Sequence, residues 1–341
     1  MNCGVHRSWH AGDALRSRTT DDGSREASLG WLAVRDEEHH QVVIVGGGPA
    51  GVSCALECKD VQLDIVLLDA EPSLGGQLAE IPHVVHNVVF AGFERGEELQ
   101  ESLRRSSTIL GDRIRTGSRV KGVDLHARWV DTGTRLIYAD ALVVATGSTR
   151  RQLRAAPDGA CGGDVTYRVE GRTGRFAGRP VAVVGGGDSA VLDALELAGA
   201  GSPVLLLHRS EHLTARLDLV RDLRKQRLIE DLPGWEIEAV HGTDHLERID
   251  ISCRRTGERR SVAVNGVVVK ISYGPATEVF AGQLELDARG AVVVDDRLRT
   301  SCSGVFAAGD VTAGSYPRIA TALGQGALAA RSVLRHLEGR S

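Results

Sequence analysis

The chain has 341 residues, with 41 Lys plus Arg against 45 Asp plus Glu and a net charge of −4. It is therefore long enough for two domains and offers no basic field to a nucleic acid backbone. Hydrophobic residues make up 42% and charged residues 25%, a soluble globular composition, and no apolar run approaches the roughly 18 residues that span a bilayer. Aromatics amount to only 4% while glycines number 41, which predicts cores of Val, Leu, Ile and Ala and backbone brought close to a ligand at glycine-rich points.

In chain order, residues 1–40 carry no sustained hydrophobic period and are read as a mobile N-terminal arm, with His39 and His40 exposed ahead of the first strand. The polar opening has no signal-peptide apolar segment, so a cytoplasmic location is expected. QVVIVGGGPAG (41–51) reads as a buried strand and a glycine turn leading into a helix, and DIVLLDAE (64–71) as a second buried strand. Residues 120–147 form a β-meander with a hairpin turn at Asp131-Thr132-Gly133 and a final buried strand.

At 180–210 the first pattern returns as PVAVVGGGDSAVLDALELAGAGSPVLLLHRS. Val42 and Val181, Gly46 and Gly185, and Asp69 and His208 are each 139 positions apart, so the two units superpose without a gap. A duplicated strand–glycine turn–helix unit is far more specific than one glycine motif. In the first copy Gly46 permits the tight turn, Gly48 lets backbone approach a pyrophosphate, and Gly51 lets helix pack on strand; Pro49 and Ala50 lie between them. Gly185, Gly187 and Ala190 take these positions in the second copy, with Asp188 and Ser189 opening the helix. Asp69 supplies a carboxylate for a ribose hydroxyl, which suits FAD. Its counterpart, His208-Arg209 with Arg216 further on, leans toward the 2′-phosphate of NADPH over NADH. The six cysteines, at 3, 54, 58, 161, 253 and 302, contain no C-x-x-C and no metal spacing; Cys54 and Cys58 are read as buried helix residues.

With GGGPAG (46–51), GGQL (75–78), ATG (145–147), GGGDSA (185–190) and GVFAAGD (304–310) in this order, the chain resembles the thioredoxin-reductase-like flavoproteins. The resemblance implies an α/β fold of two Rossmann-like, three-layer ββα domains. A discontinuous FAD domain (41–152 and 276–341) would enclose an inserted NAD(P) domain (153–275). It further implies that FAD meets Gly46, Gly48, Pro49, Ala50, Gly51, Asp69, Gly76, Gln77, Val120, Thr146, Gly147, Gly309, Asp310, Arg318, Ile319, Ala320 and Thr321. NAD(P)H would meet Gly185, Gly187, Asp188, Ser189, Ala190, His208, Arg209 and Arg216. A homodimer is implied in the same way. Where thioredoxin reductases carry a C-x-x-C before the second glycine motif, this chain has Arg168 and Gly171. It is in that respect similar to the thioredoxin-reductase-like ferredoxin/flavodoxin-NADP reductases.

The expected activity is hydride transfer from NAD(P)H to FAD, with electrons passed to a non-disulfide acceptor, either a ferredoxin- or flavodoxin-like protein or a small molecule. The alternative is a flavin-dependent dehydrogenase or oxidase acting on a natural-product intermediate, with O2 as electron acceptor. That reaction needs an acid or base, and His83 and His86, just after GGQL, are the candidates. A flavin-bound sensor is disfavoured, because it has no use for the second glycine motif.

Overall fold

The structure is a computed structural model that describes residues 36–81, 85, 87–88, 92, 95–167, 169 and 173–339. Strand β1 (Asp36–Val45) enters the glycine turn, helix α1 (Pro49–Asp60) follows, and β2 (Ile65–Leu68) lies parallel to β1. The chain then makes a short 3-10 turn (Gly76–Glu80) and helix α2 (Gly96–Ser107), and β3 (Ile114–Arg115) pairs with β2. A meander of β4 (Gly122–Asp124), β5 (Trp129–Asp131) and β6 (Arg135–Val144) brings β6 back parallel to β1. A short run, β7 (Ser148–Arg150), carries the chain out of this sheet.

The second sheet begins after a turn, α3 (Ala160–Gly163), with β8 (Val165–Thr166), the one-turn helix α4 (Thr173–Phe176) and β9 (Val181–Val184). Helix α5 (Asp188–Gly199), β10 (Val204–His208), helix α6 (Leu217–Leu223) and β11 (Ile229–Pro233) follow. An antiparallel sheet of β12 (Trp235–His241), β13 (Arg248–Cys253) and β14 (Arg259–Ala263) comes next. β15 (Gly266–Val269) then enters the parallel sheet, whose order is β11-β10-β9-β15-β8. β16 (Tyr273–Pro275) pairs antiparallel with β7, β17 (Val305–Ala307) rejoins the first sheet beside β6, and the long helix α7 (Ile319–Leu337) ends the fold.

Each parallel sheet has helices on one face and a meander on the other, which is why its strands are continuous apolar runs buried on both sides. Val42, Ile44, Ile65 and Leu67 face α1 and α7, whereas Val43, Val66, Leu142 and Val144 face the meander side with Leu125 and Phe280. The second sheet repeats the arrangement: Val181, Val183 and Leu206 face α5 and α6, and Val184, Leu207 and Val267 face Trp235, Ile249 and Ile251. The fold is thus a mixed α/β architecture of two dinucleotide-binding units. Helix α1 and helix α5 both begin and end 139 residues apart (Pro49 to Asp188, Asp60 to Gly199), so the duplication holds to the residue.

One boundary is corrected. Residues 36–40, assigned to the arm, form the first half of β1 and pair with Arg135 through Ala139. His40 is not exposed: its side chain is 18% accessible and its Nδ1 lies 3.0 Å from Asp64. His39 is 57% accessible and pairs with Asp140 at 3.1 Å. The rest of the arm lies outside the described residues.

Candidate functional site

In both sheets the ligand-facing turns leave the carboxyl ends of parallel strands, where open α/β sheets bind their ligands. In the first, β1 delivers Gly46, β2 delivers Asp69, β6 delivers Thr146 and Gly147, and β17 delivers Gly309 and Asp310. The glycines are steric necessities. Gly46 has φ +113, and a Cβ there would stand 2.2 Å from the Ala145 carbonyl oxygen; a Cβ on Gly51 would stand 1.8 Å from that of Gly46. Gly48, the residue capping α1, has nothing within 4 Å of such a Cβ, so the helix N-terminus opens onto free space, with Pro49 at its first position.

Asp69 is 8% exposed and is aimed at this turn by two backbone donors, Gly47 N at 2.5 Å and Glu71 N at 2.7 Å. Burial pushes its carboxyl above the ordinary aspartate range, and the two amide bonds work against that rise. The amide of Ser118 bonds the Asp69 carbonyl at 2.7 Å, so the segment leading to half-buried Val120 runs alongside. Gly75 N donates to Gly47 O at 2.8 Å, laying the 3-10 turn on the glycine turn with Gly76 against Gly48. The amide of Gln77 donates to both the carbonyl and the hydroxyl of Ser148, at 2.8 and 3.0 Å.

On the far side, Gly309 N donates to Gln325 Oε1 at 2.7 Å, and Thr146 Oγ1 donates to the Ala276 carbonyl at 2.7 Å. Asp310 is half-buried, its carboxylate has no partner among the described residues, and burial pushes its pKa up. A partly desolvated carboxylate without a donor, beside an open helix N-terminus, fits a ligand that brings both hydroxyls and phosphates, as FAD does. Arg318 caps α7, ahead of Ile319, Ala320 and Thr321, and its guanidinium lies over the ring of Tyr316 at 4.3 Å.

The second turn reproduces the first. Gly185 has φ +145, and a Cβ would stand 2.3 Å from Lys270 O; Gly187 caps α5, and Ala190, buried, takes the third glycine's place. The loop after β10 is strapped over this turn by Thr214 N to Gly186 O at 2.8 Å and Arg216 N to Asp188 Oδ1 at 2.8 Å. Ser189 is exposed at the helix opening.

The three residues read as contacts for the nucleotide phosphate end differ in availability. Arg209 is exposed and makes no ion pair among the described residues. His208 is 3% exposed and turns inward, with its Nε2 2.9 Å from Asp231. Arg216 is occupied by Asp188 at 3.4 Å and Asp218 at 3.7 Å, so it does not stand free to reinforce Arg209. His83, His86, Arg168 and Gly171 lie outside the described residues.

Sequence reasoning missed Glu80, Arg150 and Tyr273. Arg150 Nη2 reaches Glu80 Oε2 at 2.7 Å, and Tyr273 Oη donates to the same oxygen at 2.8 Å. These residues sit on the 3-10 turn, β7 and β16. It also missed Lys270, at the end of β15, whose Nζ lies 2.9 Å from Asp193. Residues 70 or 193 positions apart leave no local pattern to read.

Two dinucleotide-binding turns, one with a buried aspartate closing its second strand and one with a histidine there, define the class of two-nucleotide flavoproteins. The chain belongs to the pyridine nucleotide-disulphide oxidoreductase family, whose profile matches residues 40–326. It is 33% identical to the thioredoxin reductase of Yarrowia lipolytica, covering 86% of this chain and 96% of that one. It is 28% identical to a 34.2 kDa protein in the rubredoxin operon of Clostridium pasteurianum, covering 90% and 100%. The Lactococcus lactis thioredoxin reductase structure superposes with a TM-score of 0.74 at 26% identity, covering 88% of this chain and 99% of that one. The bacillithiol disulfide reductase of Staphylococcus aureus shares the fold at 18% identity, with a TM-score of 0.72 and coverage of 87% and 98%. The protein is a thioredoxin-reductase-like flavoprotein, an oxidoreductase using FAD and NAD(P)H.

Proposed function

We propose that the protein takes hydride from NADPH into FAD and passes the electrons to an acceptor other than a disulfide of its own. The reading assigns FAD to residues 41–152 and 276–341 and the nicotinamide nucleotide to 153–275, in a cytoplasmic homodimer. The observation that carries it is the second glycine turn, complete in the backbone at Gly185 and Gly187 yet without a C-x-x-C ahead of it. Cys54, Cys58, Cys253 and Cys302 are buried. The hydrogen bond with Cys58, together with burial, raises the Cys54 thiol well above the ordinary cysteine range, the opposite of what a nucleophilic thiolate requires.

Bound flavin supplies the two-electron chemistry, and the protein's own work is to hold, orient and exclude water. Asp69, bonded by Gly47 N, and the amides opening α1 would hold the adenosine and pyrophosphate ends, Gln77, anchored on Ser148, and half-buried Asp310 would hold the ring and ribityl end, and Arg209 would select for a 2′-phosphate. Likeness to a protein of a rubredoxin operon supports a small redox carrier, of the ferredoxin or flavodoxin kind, as acceptor. Anaerobic rapid mixing with NADPH should bleach the flavin within seconds, and a screen of ferredoxin, flavodoxin and O2 should show which reoxidises it. Failure of both NADPH and NADH to reduce the flavin would overturn the reading.

A further inference from the structure

The 3-10 turn Gly76–Glu80 and strand β7 meet at two matched points. A 3-10 turn repeats every three residues, so Gln77 and Glu80 leave it on one side. A strand repeats every two, so Ser148 and Arg150 leave β7 on one side. The pairs are in register: Gln77 bonds Ser148 at 2.8 and 3.0 Å, and Arg150 donates to Glu80 from Nη2 at 2.7 Å and from Nε at 3.1 Å. Across the ladder Tyr273 stands opposite Arg150; its hydroxyl donates to Glu80 at 2.8 Å and accepts from Arg150 Nε at 3.0 Å.

One carboxylate thus ties together the turn that carries Gln77 and both strands by which the chain crosses to the second sheet and back. Arg150 and Glu80 are only 27% and 26% accessible. Charge-assisted bonds at that depth hold geometry better than exposed ion pairs do.

We propose that Glu80 is a positioning residue for hydride transfer: with Arg150 and Tyr273 it fixes the crossing strands on the Gln77 turn. It thereby sets how the nicotinamide held by the second unit meets the flavin held by the first. The inference rests on the function proposed above. In the step itself the hydride leaves nicotinamide C4 with its electron pair and joins flavin N5, releasing NAD(P)+. Glu80, whose carboxylate is taken up by Arg150 and Tyr273, would exchange no proton in this step. Its effect comes from alignment, to which transfer between two rings is steep: a misplacement of about 1 Å can cost on the order of a hundredfold.

The test compares FAD-loaded wild type with Glu80→Ala, Glu80→Gln and Tyr273→Phe by anaerobic rapid mixing with NADPH and by X-ray solution scattering. For Glu80→Ala the flavin reduction rate at saturating NADPH should fall about tenfold or more, while Kd for FAD and for NADPH stays within about threefold, the split that marks loss of alignment without loss of binding. The distribution of interatomic distances should broaden. Glu80→Gln, which keeps a neutral acceptor of the same shape, and Tyr273→Phe should fall between. Wild-type reduction rate and unchanged scattering in Glu80→Ala would overturn the proposal, as would loss of FAD, which would make Glu80 part of the cofactor's own support. If wild type is reduced by neither nucleotide the functional reading fails, and scattering decides alone: an unchanged curve in Glu80→Ala overturns the clasp, and a broadened one upholds it.

Discussion

Asp310 is a half-buried carboxylate that costs the protein stability. Its carboxyl is pushed above the ordinary aspartate range by burial and has no donor among the described residues. A raised aspartate pKa means that the folded state pays for the buried charge above that pKa, and that the cost fades as pH falls through it toward the unfolded value. Asp310→Asn should therefore raise the Tm of the FAD-free protein at neutral pH, and the gap from wild type should close in mildly acidic buffer. The same variant should bind FAD about tenfold or more weakly by fluorescence titration, because a charge-assisted hydrogen bond is lost. At the other nucleotide, Arg209→Ala should raise Kd for NADPH about tenfold and leave NADH nearly unchanged, as befits loss of one phosphate contact. Arg216→Ala should barely alter that preference, since Asp188 and Asp218 already engage its guanidinium. An equal loss for both nucleotides in Arg209→Ala would show that the phosphate lies elsewhere. The meeting of Asp69 with the first glycine turn was legible because it depends on local spacing along strand and turn. The Glu80, Arg150 and Tyr273 clasp was not, because its members meet only after two strand pairings have formed.

Among the elements, the α1 turn separates folding from binding. A Cβ at Gly51 collides with the Gly46 carbonyl, whereas one at Gly48 meets nothing. Gly51→Ala should thus unfold at lower temperature, by an amount in the 1–3 kcal/mol range typical of overpacking. Gly48→Ala should fold normally and lose FAD, because its methyl would occupy the open space proposed for the pyrophosphate; calorimetry and flavin retention on gel filtration distinguish the two. The start of β1 is the element misread from sequence. DEEHHQ lacks an apolar period, so nothing local marks it as a strand. It is ordered by partners distant in the chain: backbone pairing to β6, and the Glu38 carboxylate bonded by Arg115 with Arg135 3.6 Å away. The Arg115 hydrogen bonds hold Glu38 below its ordinary value of 4.5. The stability this contributes is complete above that value and is lost as pH falls through the lowered one. Glu38→Gln should melt earlier than wild type at neutral pH and match it in strong acid.

For the whole molecule, the abundance of glycine and scarcity of rings translate into two parallel sheets of Val, Leu, Ile and Ala, with a glycine turn at the carboxyl edge of each. Those sheets and their glycine turns were readable because both copies keep the same spacing over α1 and α5. The crossing between the two units is made by strands of three residues each, which the spacing within either copy does not announce. The central claim, that electrons pass from NADPH through FAD without an intervening protein disulfide, is tested most directly by an anaerobic titration followed by flavin absorbance. One equivalent of NADPH per FAD should complete the bleaching, because the flavin alone stores the two electrons. A requirement for two equivalents would reveal a redox-active disulfide and contradict the account, as would a flavin that NADPH leaves oxidised.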